Sequence, residues 1–184
     1  MRIIAGKAGS IPLQVPKSLT RPTTDRVRES IFSSLGERVI DAAVLDLFAG
    51  SGSLGIEALS RGAKSATFVD TARDACTIIN QNLEKAKLTG GTTRGSDVRS
   101  FISSRASGEF DLIFADPPYA RDEISAAMVE AVVTSESLCS SLSDSGIMVL
   151  ETLARAERPD LTLWEVIREK RYGKTKVFFL SAAN

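Results

Sequence analysis

The sequence predicts an α/β fold: a mostly parallel, seven-stranded sheet with helices on both faces, closed by an antiparallel hairpin and preceded by a small amino-terminal hairpin arm. Three observations predict it. Apolar runs at 42–48, 66–70, 92–95, 110–115 and 147–151 alternate with helix-like stretches near 53–61, 72–88, 98–104 and 122–141, the pattern of parallel strands joined by crossover helices. A glycine-rich turn separates the first run from its helix. A proline-rich turn, Asp116-Pro117-Pro118-Tyr119, ends the fourth run, where open α/β sheets hold their ligands.

Taken in order, Arg2–Ala5 and Ile11–Val15 have strand character on either side of Gly6-Lys7-Ala8-Gly9-Ser10, and Pro12 marks an exposed edge. Residues 1–20 are expected to form the arm and 21–184 the main body, and 43% hydrophobic residues in a 184-residue chain suffice for one globular domain. Thr24 is placed to cap a helix, with Asp25 in the first turn and Val27, Ile31 and Leu35 on one face. Arg26 and Arg28 are expected to point away from that stripe. Arg26 is offered either to a ligand carboxylate or phosphate, or to solvent. At the other end, Leu163–Arg171 and Thr175–Ser181 turn at Tyr172-Gly173-Lys174 as the closing hairpin. The serine-rich stretches 100–108 and 135–145 read as loops or helix ends.

Gly50, Gly52 and Gly55 follow the first apolar run at the G-x-G-x-x-G spacing: one glycine for the tight turn, one for backbone approach to a ligand, one for close helix packing. Asp70 ends the second run 20 residues beyond Gly50, where a carboxylate bonds ribose hydroxyls or caps the helix starting near Ala72. Asp46, flanked by Leu45, Leu47 and Phe48, is costly to bury without a partner, so a ligand or a helix N-terminus is expected beside it. Asp97 either accepts from an adenine amino group or caps a helix.

The turn at 116–119 suits methylation of an amino group. The lone pair of an exocyclic NH₂ is delocalised, so the group is a poor nucleophile. The Asp116 carboxylate and the Pro117 carbonyl can accept its two hydrogens and favour a pyramidal nitrogen. Pro117 and Pro118 stiffen the turn and remove competing N–H donors, and Tyr119 offers a face on which a planar substrate stacks.

Together these segments resemble the class I methyltransferases that use S-adenosylmethionine. More narrowly, Arg21-Pro22-Thr23-Thr24-Asp25-Arg26-Val27-Arg28-Glu29-Ser30-Ile31-Phe32 resembles the amino-terminal signature of the RsmD family. The likeness runs over nearly the whole chain, with Ser33 standing where Asn is common. It implies a Rossmann-like fold that transfers a methyl to the N2 amino group of a guanine in 16S ribosomal RNA, releasing S-adenosylhomocysteine and using no metal. It implies cofactor contacts at Asp46, Phe48, Ala49, Gly50, Ser51, Gly52, Gly55, Asp70, Asp97 and Val98, with Arg26 nearby, and catalysis by Asp116, Pro117, Pro118 and Tyr119. The implied partner is ribosomal RNA, within a small ribosomal subunit or its assembly intermediate, met by a monomer.

Charge distribution bears on that partner. Residues 1–28 hold six basic side chains against one acid, and 167–178 hold five against one, although the whole chain is neutral. Arg2, Lys7, Lys17, Arg21, Arg28, Arg171 and Lys174 are therefore candidate phosphate contacts, or simply solvated basic ends. The absence of histidine excludes histidine-based triads, and Cys76 and Cys139 lack metal or redox spacing. With no signal-like or membrane-spanning apolar run, a cytoplasmic location and no membrane partner are expected. Rival readings stay open: a DNA adenine-N6 or cytosine-N4 enzyme, a protein-amide methylase, a NAD-dependent oxidoreductase, or a non-catalytic RNA-binding assembly factor.

Overall fold

In a computed structural model, residues 1–16, 24–103, 106–118 and 122–183 are described. The parallel strands are β1 (Ala43–Leu47), β2 (Ser65–Asp70), β3 (Gly91–Gly95), β4 (Phe110–Ala115) and β5 (Leu142–Leu153). An antiparallel pair, β6 (Trp164–Tyr172) and β7 (Thr175–Ala182), completes a seven-stranded sheet in the order β3-β2-β1-β4-β5-β7-β6. The order reverses at β1, which pairs with β2 on one side and β4 on the other, and that switch point is where a crevice opens at the carboxyl ends.

Helices cover both faces. On one lie α1 (Asp25–Leu35), α2 (Ser53–Ser60) and α3 (Arg73–Ala86), whose Ile31, Phe32, Ile56, Leu59, Ile79 and Leu83 pack on Val44, Phe68, Phe114, Val149 and Phe179. On the other lie α4 (Val98–Ile102), α5 (Asp122–Val133) and α6 (Glu136–Ser141), packed on Leu45, Leu47, Ile113, Met148, Leu150 and Phe178. The two sets alternate along each strand, as the two-residue period of a pleated strand requires. No helix among the described residues is long and apolar enough to cross a membrane.

Local chemistry explains the boundaries. Thr24 accepts from Val27 N–H and caps α1 as expected, and Asp97 and Ser135 cap α4 and α6 in the same way. The stretch expected as one helix over 122–141 is two, because Ser135 takes an extended conformation and its hydroxyl caps a new turn. Strand β5 begins at Leu142, earlier than the apolar run suggests, since Leu142 pairs with Phe110 across a register shift before Ile147 resumes the ladder opposite Leu112.

The amino-terminal arm turns back on itself as expected, in a shorter ladder than two full strands. It pairs antiparallel about one bridge, Arg2 to Pro12, with Ile3 N–H donating to the Ile11 carbonyl (2.9 Å) and Leu13 N–H to the Met1 carbonyl (3.1 Å), and its apolar residues Ile3, Ala8 and Leu13 are buried against the helical face. Backbone donors that the arm does not use itself are taken by α2. The buried Glu57 carboxylate accepts from Ile4 N–H (2.7 Å) and Ala5 N–H (3.0 Å), and Ser60 Oγ accepts from Ala8 N–H (3.0 Å). Arg61 Nε donates to the same carboxylate at 2.6 Å and its guanidinium lies over the Phe32 ring. Glu57 therefore satisfies three donors at once. Replacing it by alanine leaves two backbone donors and a guanidinium unpaired in a partly buried seam, so Glu57→Ala should lower the unfolding free energy by about 1–3 kcal/mol, measured by urea denaturation.

Candidate active site

Strand β1 ends in a turn forced out of ordinary conformations. Phe48 (φ 58°), Gly50 (φ 54°) and Gly52 (φ 75°) lie in the left-handed region, so the chain reverses within five residues and enters α2. Phe48 is the costly member, because a side chain there is strained. Gly55 is needed for space: a Cβ would lie 2.4 Å from Phe68 Cε1 and 3.2 Å from Asp46 Oδ2.

Two aspartates hold this turn. Asp46, 2% exposed, accepts from Gly55 N–H at 2.9 Å and so caps α2 from within β1; Gly52, at the N-cap position, has no side chain to do it. Burial is the main cause that raises the Asp46 pKa to about 8, only partly offset by that bond, with nearby Asp116 and Asp70 adding to it. Asp70, at the end of β2, accepts from Gly50 N–H (2.8 Å) through one oxygen and Ala72 N–H (2.9 Å) through the other. Capping and ligand binding are compatible, since each carboxylate oxygen keeps a second lone pair for a hydroxyl. Asp97 caps α4 through Ser100 N–H and is exposed, and Val98 beside it is buried.

At the end of β4, Phe114 packs on Phe32 of α1 with ring centroids 5.6 Å apart. Two residues on, Asp116 reaches toward the same face, where its charge is felt by Asp46. Pro117 is buried, and the Pro118 carbonyl accepts from Ser125 Oγ of α5 at 2.6 Å, which ties the turn to the helix that follows it. The crevice thus brings together the 48–55 turn, Asp46, Asp70 and Asp116. Tyr119, Lys17 and Arg21 lie outside the described residues.

The basic candidates scatter. Arg171 and Lys174 are exposed on the β6–β7 hairpin, whose Thr175 pairs with Leu153 at the carboxyl end of β5, so they share the edge that carries Asp116. Arg2 and Arg26 are exposed. Lys7 is exposed but lies beside Ser60, at the opposite end of α2 from the glycine turn. Arg28 corrects an expectation: it has no exposed surface, so it is no phosphate contact. It turns inward because Nη2 donates to Asp25 (2.9 Å) and to the Arg2 carbonyl, a tie between α1 and the arm, and desolvation pulls its pKa below the usual value.

Three supporting residues carry no recognisable signal in the sequence. Asn82, buried in α3, donates to the carbonyls of Ser51 (3.1 Å) and Gln14 (3.0 Å) and accepts from Gln14 N–H (2.8 Å), fastening the glycine turn to the arm. Ser125 is the second, and the third is Glu151, 3% exposed near the end of β5. A mid-helix asparagine or serine looks like any polar helix residue, and an acid inside an apolar run gives no sign of which face it takes.

The buried Asp46 sets a pH dependence. Its folded pKa lies above the unfolded one, so between about pH 4 and 8 the folded chain holds a proton that the unfolded chain has released. Its contribution therefore falls as pH rises through that window and is flat above it. Asp46→Asn should flatten the decline by up to ~1.4 kcal/mol per pH unit relative to the parent chain, read from urea midpoints across the range. Gly55→Ala should cost roughly 1–3 kcal/mol in the same measurement, as Phe68 is pushed aside.

Known proteins share this architecture. Residues 1–181 match the family model described as conserved hypothetical protein 95. Ribosomal RNA small subunit methyltransferase D of Escherichia coli strain K12 is 34% identical over 176 residues, which span 95% of this chain and 86% of that one. The solved structure of the Escherichia coli protein yhhF has a TM-score of 0.82 at 32% identity, covering 99% of this chain and 97% of that one. Hypothetical protein TTHA0928 of Thermus thermophilus gives 0.79 at 29% identity, covering 99% of each. The fold is that of the class I methyltransferases, and the chain belongs to the conserved hypothetical protein 95 family, the RsmD family of its sequence signature.

Proposed function

We propose that this protein is an S-adenosylmethionine-dependent ribosomal RNA methyltransferase whose acceptor is the N2 amino group of a guanine in the small-subunit RNA. The observation that carries the reading is the placement of Asp116 at the carboxyl end of β4, next to the strand whose glycine turn is held by Asp46 and Asp70. The family supports the substrate class, since the Escherichia coli relative bears that activity in its name.

The residues present suit the cofactor. Asp70 keeps acceptor capacity beyond its two backbone bonds, the glycine turn carries no side chain at Gly50 or Gly52, and the acidic surroundings favour a cation beside them. Asp70 would hold ribose hydroxyls, the 48–52 turn the amino-acid portion and Asp97 with Val98 the adenine side. When bound, S-adenosylmethionine supplies an electrophilic methyl on a sulfonium. The chain supplies orientation. The Asp116 carboxylate and Pro117 carbonyl accept the two amino hydrogens, so that the nitrogen lone pair points along the line of attack, and Tyr119 stacks on the ring. The proton lost from nitrogen passes to Asp116 or water. A base inside a helix is out of reach of this turn, so the acceptor is unpaired or flipped out. Arg171 and Lys174 would fix the RNA backbone, in a monomer working on a small subunit or its assembly intermediate in the cytoplasm.

The test incubates the protein with labelled cofactor and small ribosomal particles from cells lacking it, followed by nucleoside mapping. Label in N2-methylguanosine is expected; label in another nucleoside, or none, defeats the reading. Asp116→Ala should lose turnover at least about 100-fold while calorimetry shows cofactor affinity within a few-fold of the parent.

A further inference from the structure

The arm is fastened at two places along α2. Its closed end is held at the carboxyl end of that helix, where Lys7 N–H donates to the Ser60 carbonyl (2.8 Å) and Ser60 Oγ donates to the Ala5 carbonyl (2.6 Å). Its open end is held at the glycine turn. Leu13 N–H donates to the Met1 carbonyl (3.1 Å), which sets Met1 beside Leu13 and next to Gln14, and Met1 Sδ accepts from Ser51 Oγ at 3.4 Å. Asn82 of α3, fully buried, completes this anchorage. Both hydrogens of its Nδ2 are used, one on the Ser51 carbonyl and one on the Gln14 carbonyl, and its Oδ1 accepts from Gln14 N–H. An aliphatic side chain would fill the same space and bridge neither segment.

The rest of the turn is held from the sheet. Ala49 N–H donates to the Val69 carbonyl (3.0 Å), Gly50 N–H to Asp70 and Gly55 N–H to Asp46. Ser51 is the member held from the arm side: its hydroxyl bonds to Met1 and its carbonyl to Asn82, and it is buried. A backbone carbonyl that loses its partner in such a closed place stays unsatisfied or carries its peptide toward water. Phe48, in the left-handed region, keeps that conformation because its surroundings over-determine it, so a freed Ser51 peptide gives the whole turn a way to relax.

We propose that Asn82 is a positioning residue that makes the arm part of the cofactor site: by holding Ser51 and Gln14 together, it lets the glycine turn keep its binding shape while the arm is docked and loosen when the arm leaves. This rests on the cofactor placement proposed above and adds what fixes that turn from outside the crevice. Asn82 acts through the Ser51 carbonyl, 31 residues away in sequence, and not on a reacting atom. The coupling runs both ways, since whatever the docked arm adds to cofactor affinity the bound cofactor adds to arm docking. A partner that grips the arm therefore bears on the cofactor without entering the crevice.

The test reads cofactor affinity and arm opening separately, with S-adenosylhomocysteine as the probe and the full chain throughout. By calorimetry, Asn82→Ala should bind the probe roughly 5- to 50-fold more weakly than the parent. Gln14→Pro removes the N–H that Asn82 accepts and leaves the Ser51 bond in place, so it should weaken binding in the same direction although residue 14 stands on the arm. Thermal unfolding reports whether each variant is folded; a purely structural asparagine would lower the unfolding temperature and leave the affinity of the folded chain as it was. In the parent chain, hydrogen exchange of the Gln14 amide should slow at least about threefold on saturation with the probe, because a ligand retards only those openings that weaken its own site. If both variants unfold, that exchange result decides alone. A folded Asn82→Ala whose affinity stays within about twofold of the parent, or a Gln14 amide whose exchange ignores the probe, overturns the role of Asn82 and leaves the proposed function standing. A parent chain that does not bind the probe overturns the cofactor placement, and this inference with it.

Discussion

A pleated strand sends alternate side chains to opposite faces, and that parity, imposed in register on β1, β2, β4 and β5, is the constraint on which the crevice depends. Each of these strands places an apolar residue under the three helices of one face and, two residues later, an acidic side chain near its carboxyl end. Val44 precedes Asp46, Phe68 precedes Asp70, Phe114 precedes Asp116 and Val149 precedes Glu151. The apolar residue anchors the strand, and the acid stands at the end where the crevice opens. A one-residue slip of any strand would exchange the two faces and remove its acid from the crevice.

The price of this arrangement is negative charge gathered in a dry place, and the fold distributes it. Asp46 is pushed toward its protonated form, and Asp70 spreads its charge over two backbone donors. On the same helical face, Glu57 and Arg28 tie the arm and α1 to α2, while Asn82 joins the arm to the glycine turn. Polar groups buried around the turn thus act in concert: the arm, which makes only one bridge of its own, becomes part of the wall that keeps Gly50 to Gly55 in their strained path.

Much of this was legible in the sequence because it rests on short-range signals. The alternation of apolar runs with amphipathic stretches placed the five parallel strands, the turn at Tyr172-Gly173-Lys174 placed the closing pair, the glycine spacing located the turn after β1, and Thr24 and Asp97 were readable as caps. Asp46 was singled out because an acid inside an apolar strand needs a partner, and α2 supplies it. Long-range satisfaction was not legible. Arg28 stands three and four residues before Ile31 and Phe32, on the buried face of α1, where the Arg2 carbonyl, 26 residues away, meets a charge that its residue type assigned to solvent. The hairpin turn of the arm was legible, but not that Glu57 would take the Ile4 and Ala5 N–H groups and fasten the arm to α2. Glu151 passed as a strand residue, since which face it takes is decided by its pairing with β4 and β7.

The most direct test of the row of carboxylates is a crystal structure with S-adenosylhomocysteine bound. The expected result is an adenosine whose ribose hydroxyls lie on Asp70 and whose sulfur points toward Asp116, with the space beyond it open toward β5. An adenosine bound away from Asp70, or a sulfur directed away from Asp116, would contradict the account.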